Sequence, residues 1–183
     1  MTPPPNRTFA AGDLRFVYLH WTAGDYATSY DAYHFCIARD AADRPVLRAT
    51  HDLRDNMRDV RRGDGAYAAH TAGRNSYAIG VAICGMARAT PSDFGAYPLR
   101  DDQIDLACAT VAELCRAYRI GIDAEGVRTH AEAAVEDGYF GAGADERWDI
   151  ARLAPSPEPL HPREAAGTGD VLRARIAAAA RPR

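Results

Sequence analysis

Apolar and polar positions along the chain follow two rhythms. LRFVYLH (14–20) and YHFCIAR (33–39) are short apolar runs rich in aromatic and β-branched residues, and PVLRATH (45–51) is a weaker one. Each is the length of a strand and too short for a stable helix. RDAADRP, between the second and third runs, carries turn residues and predicts a hairpin. IGVAICG (79–85) is almost continuously apolar, as expected of a central strand covered on both faces. ATPSDFGAYP (89–98) reads as a Pro/Gly loop, and the rhythm then changes. In residues 101–120, Ile104, Leu106, Ala107, Val111, Leu114, Cys115 and Tyr118 recur at helical spacing. Asp residues open this segment and Arg residues close it, which matches the helix dipole, and Gly121 reads as the stop. VRTH (127–130) is a short strand ending in a histidine. A Gly-rich acidic loop, AEAAVEDGYFGAGADE, leads to RWDI, and APSPEPLHP reads as a Pro-rich connector. TGDVLRARIAAAA predicts a terminal helix capped by Thr168 or Asp170. The pattern predicts an α/β fold: a single domain with a central mixed β-sheet flanked by helices.

Composition narrows the choices. A chain of 183 residues, 47% hydrophobic and 26% charged, suits one globular domain and leaves no room for two of ordinary size. A flexible arm is expected over residues 1–13 and a folded domain over 14–183, divided into a core (14–153) and a connector with its helix (154–183). The formal net charge of -3 argues against a nucleic-acid partner. No apolar run approaches the ~18 residues of a membrane span. MTPPPNRTFAAGD has no basic stretch followed by an apolar core, so no signal peptide is read and the chain is expected to accumulate in the cytoplasm on synthesis, as a monomer. Cys36, Cys84, Cys108 and Cys115 form no C-x-x-C pair and read as buried free thiols. All 22 basic residues are Arg, so any task that commonly falls to lysine is done here by another group.

His20 and His130 stand at the C-terminal ends of predicted strands, and Asp149 follows in RWDI. Two neutral imidazoles and a carboxylate suit zinc, with a fourth position left open. Alone the signal is weak, because the chain has six histidines and a strand-end histidine is commonly structural. The words around these residues add to it: HWTAG, YHFCIARD, HTAGRNSYAIGVAICG, an amphipathic helix, THAE and RWD, in that order. The series, from about Leu14 to Asp149, resembles the zinc-dependent N-acetylmuramoyl-L-alanine amidases, the fold family shared with peptidoglycan-recognition proteins, and most of all its phage and prophage endolysin-like members.

That resemblance implies Zn2+ as cofactor, peptidoglycan as substrate, and His20, His130 and Asp149 as the metal ligands. Some members carry Cys at the third ligand; Asp leaves more positive charge on the metal. Tyr33 matches a tyrosine that, in one branch of the family, sits beside the metal-bound water. The other branch uses a Glu, whose place here is taken by Ala82. Strand alternation puts Tyr33, Phe35 and Ile37 on one face and His34, Cys36 and Ala38 on the other, so His34 reads as structural if Tyr33 faces the metal. Where the family has Lys two residues before the third ligand, this chain has Arg147. A guanidinium can hold an oxyanion but cannot act as a general acid, because its pKa exceeds ~12. The other reading of Arg147 is a surface side chain paired with Asp145 or Glu146.

His70 either contacts substrate or is structural. Asn75 is placed to touch substrate or, with Ser76, to shape the turn into the central strand. Trp21 either walls the cleft or packs in the core. Glu132 either fixes an imidazole from behind or is an ordinary solvated carboxylate. His51 and His161 fall outside the site words.

The expected activity is hydrolysis of the amide between N-acetylmuramic acid and L-alanine, by an endolysin-like or other route to the cell wall that the sequence leaves open. Two alternatives stand beside it: a peptidoglycan-binding module without catalysis, and a cytosolic amidase that recycles soluble muropeptides.

Overall fold

The computed structural model describes residues 14–62 and 64–181; the arm expected over 1–13 lies outside them. Five strands form one sheet: β1 (Phe16–Trp21), β2 (Phe35–Arg39), β3 (Pro45–Ala49), β4 (Ala78–Ile83) and β5 (Val127–Thr129), in the order β3-β2-β4-β1-β5. β1, β2, β4 and β5 run parallel, and β3 pairs antiparallel with β2 through the expected hairpin, so the sheet is mixed. β4 lies at its centre with all six residues buried, as its unbroken apolar pattern required. Three helices flank the sheet: α1 (Asp101–Tyr118), α2 (His130–Asp137) and α3 (Pro162–Ala179).

Alternation along the strands divides the molecule. Val17, Leu19 and Trp21 of β1, Phe35 and Ile37 of β2, and Ile79, Val81 and Ile83 of β4 share one core with Ile104, Val111 and Leu114 of α1 and Leu172 and Ile176 of α3. The other face carries Tyr18, His20, Cys36 and Ala82, and here the site is built. All four cysteines are free and buried, as expected.

Four local readings change. α1 ends earlier than Gly121: Arg119 takes the left-handed conformation (φ 57°) and donates its N–H to the Cys115 carbonyl. The segment after VRTH opens as helix α2 and not as a loop. Thr129 and Glu132 form a capping box there, a signal that a Gly-rich tail downstream obscured. α3 starts at Pro162, with His161 as its cap and Glu164 closing a second capping box. Thr168, read as a cap, lies inside the helix and donates to the Ala151 carbonyl.

Arg152 organises the connector before α3. It is 5% exposed, and its guanidinium donates to the carbonyls of Pro91, Ser156, Glu158 and Pro159 and to Glu164. A planar fork with several donors can satisfy that many acceptors at once, which a lysine ammonium cannot.

Candidate metal centre

His130 and Asp149 line a cleft of about 510 Å³, and β1 delivers the fully buried His20 against them. The capped first turn of α2 delivers His130, and the segment after Trp148 delivers Asp149. The Ala131 N–H donates to the Asp149 carbonyl (3.1 Å), which fixes the last segment against α2. His20 Nδ1 and His130 Nδ1 are 3.1 Å apart, and Asp149 Oδ2 is 3.2 Å from the first and 2.9 Å from the second. Two nitrogens and an oxygen at such spacing lie close to the edge of a tetrahedron with bonds of ~2.0–2.1 Å, roughly 3.3 Å. The donor set therefore fits zinc, and these three residues can hold a metal ion.

The electrostatics suit the same task. Burial holds the His20 imidazole neutral, with its pKa lowered to about 4. Burial alone would raise the Asp149 carboxyl, but the electrostatic attraction and hydrogen bond of His130, with the hydrogen bond of His20, outweigh it and hold the carboxyl well below the usual carboxylate range. The other nitrogen of His20, Nε2, lies 3.3 Å from Thr71 Oγ1, which is 2.9 Å from His70 Nδ1. With a metal on Nδ1, His20 Nε2–H donates to Thr71 and the Thr71 hydroxyl to His70, leaving both imidazoles neutral. Thr71 was missed in the sequence; its place immediately after His70 in HTAG was the available sign.

His70 thus acts behind the ligands as well as lining the cleft. Its ring lies directly on Gly80 of the central strand, where a Cβ would come within 2.6–2.7 Å of it. Asn75 also lines the cleft, but its side chain accepts the Thr71 N–H (2.8 Å), so it shapes the turn that presents Thr71 and His70. Trp21 does both things foreseen for it: it borders the cleft and packs in the core against Trp148, ring centroids 4.4 Å apart. Glu132 touches neither imidazole. Its carboxylate accepts the Thr129 N–H and pairs with Arg173, so it is neither a histidine's partner nor a solvated group.

Tyr33 lies beside the His20 ring (centroids 5.1 Å), with its hydroxyl donating to the Trp21 carbonyl at 3.3 Å. The alternation argument fails here because β2 starts only at Phe35. Tyr33 precedes the strand and packs with Cys36 and Ala82, on the face opposite Phe35 and Ile37. His34 is on the site side too, its ring 5.7 Å from that of His70, while its Nδ1 accepts the Gly80 N–H. Ala82 pairs with His20 across the β1–β4 ladder, so no carboxylate stands there. Arg147 is exposed at the cleft and donates to the carbonyls of Ala144 and Glu146, not to the carboxylates of Asp145 or Glu146. His51 pairs with Asp55, away from the ligands.

Tyr139 is a further cleft residue, within the segment expected as a Gly-rich acidic loop. Its carbonyl accepts the Arg147 N–H (2.9 Å), which brings the two side chains to the cleft together. Its ring is 6.0 Å from that of His130, and among the described residues its buried hydroxyl has no partner. Burial raises this phenol to about 12, so it stays an O–H donor at neutral pH.

The N-acetylmuramoyl-L-alanine amidase family (Amidase_2) matches residues 10–148. The chain belongs to that family. The match ends one residue before Asp149, so the third donor in this family member is located by the geometry above. No curated protein matches the chain. The five-stranded mixed sheet with three helices agrees with the amidase fold, and the family implies peptidoglycan as substrate. Among the described residues, no helix is long and apolar enough to cross a membrane.

The buried histidines make acid stability measurable. Burial lowers His34 to about 3, whereas in the unfolded chain it takes a proton near 6.5. The contribution is complete above about pH 6.5 and is lost as the pH falls towards 3, because only the unfolded chain binds the proton. At pH 5 the expected loss from this one residue is about 2 kcal/mol. Urea unfolding of metal-free protein at pH 7.5 and pH 5 checks this. His34→Asn, which keeps an acceptor and removes the titration, should narrow the difference by about that amount; an equal difference in both proteins would refute it.

Proposed function

We propose that this chain is a zinc-dependent amidase that hydrolyses the bond between the lactyl group of N-acetylmuramic acid and L-alanine in peptidoglycan. One observation carries the reading: three buried donors, mutually 2.9–3.2 Å apart, two of them lining an open cleft, in a chain of this family. His20, His130 and Asp149 would hold the ion. Zinc there supplies a Lewis acid for an amide carbonyl and activates water for attack.

The chain's own groups do the rest. Thr71 and His70 keep the His20 proton on Nε2, so that Nδ1 offers its lone pair. Arg147 offers fixed N–H donors and positive charge where the tetrahedral oxyanion develops. Tyr33 and Tyr139 bring two neutral phenols to the same cleft: the first beside His20, the second tied through its backbone to Arg147. As C–N cleavage proceeds, the amine of L-alanine leaves with the stem peptide, and the lactyl carboxylate stays on the glycan.

The test is digestion of purified peptidoglycan followed by mass spectrometry. Release of intact stem peptides, abolished by EDTA and restored by Zn2+, is expected. Cleavage of the glycan chain instead, or peptide release indifferent to EDTA, would refute the proposal. Comparing intact sacculi with soluble muropeptides in the same assay establishes whether the endolysin-like route to the cell wall or recycling is the better description.

A further inference from the structure

α3 lies wholly beyond the family-matched segment, yet it is bonded to both elements that carry metal donors. The first link is ionic. Arg173, 9% exposed, donates from Nη1 to the Val127 carbonyl (2.9 Å) and to Glu132 Oε2 (3.1 Å), and from Nη2 to Glu132 Oε1 (2.9 Å) and Asp170 (2.7 Å). Glu132 is the same residue that closes the capping box on Thr129, immediately before His130. One carboxylate therefore fixes the first turn of α2, on which a donor sits, to a buried guanidinium of α3.

The second link is steric. Gly169 lies against that carboxylate, and a Cβ there would overlap it. The third link reaches the other donor. Thr168 Oγ1 donates to the Ala151 carbonyl (2.8 Å), and Ala165 packs in one cluster with Ala131, next to His130, and Ala151, two residues after Asp149. Three consecutive turns of one helix thus contact the segments on either side of the site.

We propose that α3 is a brace that sets the metal site, with Arg173 as the positioning residue acting on His130 through Glu132. It rests on the metal reading above. Helix α2 has only eight residues and cannot hold its own place, since short isolated helices are marginal in water. Its first residue supplies a donor that must stay within a few tenths of an ångström. The buried bidentate pair provides that constraint, and Gly169 leaves room for it.

The experiment uses the full chain and four variants: Arg173→Met, Arg173→Lys, Glu132→Gln and Gly169→Ala. Glu132→Gln keeps an acceptor for the Thr129 N–H while removing the charge. Zinc affinity is read by chelator competition, and site geometry by the visible absorption of the Co2+-loaded protein. The expected result is an affinity loss of about 10-fold or more with an altered Co2+ band, smallest for Arg173→Lys. Should Arg173→Met fail to fold, Glu132→Gln and Gly169→Ala decide. Folded variants whose affinity and Co2+ band match the original chain would overturn the brace, even if their Tm fell. A failure of the metal reading is separable from a failure of the brace. In metal-free protein the His130 imidazole NMR resonances move in these variants if α3 sets the ring, and stay in place if it does not, whether or not zinc binds.

Discussion

Asp149→Ala is expected to lower zinc affinity by well over 100-fold and to reduce stem-peptide release to the background of the assay. Loss of a group that merely orients a ligand costs about 10- to 100-fold in affinity or activity, and Asp149 is itself a donor. It is also the sole anionic member of the set, because the other two donors are imidazoles. The variant therefore loses a bond and the charge that offsets the dication, leaving two imidazole nitrogens 3.1 Å apart. Asp149→Asn separates the two contributions: an oxygen donor remains and the charge goes, so an intermediate affinity is expected. Calorimetric zinc titration and metal analysis after dialysis provide the measurement, and circular dichroism of the metal-free variants shows that the fold persists. Stoichiometric zinc retained by Asp149→Ala would mean that the three donors do not act as a set.

How much of this was legible in the sequence follows from the range of each signal. The strands were readable because their apolar runs and turn residues are local, and His20 is carried by the clearest of them. α2 was not, because its evidence is a two-residue capping exchange, Thr129 with Glu132, set among alanines and followed by glycines that read as loop. Misreading α2 led directly to misreading Glu132, whose partner Arg173 lies 41 residues away, where no spacing rule reaches. Tyr33 failed for a different reason. Alternation holds only inside a strand, and β2 begins two residues after it, so face assignment by counting ran through a bend. The ligand trio was reached through word order and resemblance; geometry adds that the three donor atoms converge, and that Thr71 and His70 stand behind one of them.

Arg147→Ala is expected to lower kcat by roughly 10²-fold with zinc content intact, the usual cost of removing one oxyanion donor, about 2.7 kcal/mol. Arg147 and Asp149 flank Trp148, which turns inwards against Trp21 and Phe94, so both neighbours are presented to the cleft. The backbone of Arg147 is clamped on both sides, its N–H on the Tyr139 carbonyl and its carbonyl accepting from Gly141, so the guanidinium starts from a fixed point. Such a group lowers the barrier by hydrogen bonding and charge, without moving a proton. The alkaline side of the kcat profile should then carry no limb from this residue, because a guanidinium does not give up its proton in proteins. Arg147→Lys makes the distinction sharp: it keeps the charge, loses the fork, and should add an alkaline limb near the ordinary lysine value of about 10.4. Steady-state kinetics on a soluble muropeptide between pH 6 and 11 decides it. An unchanged kcat in Arg147→Ala would reduce the guanidinium to a tie for its own loop, through the carbonyls of Ala144 and Glu146.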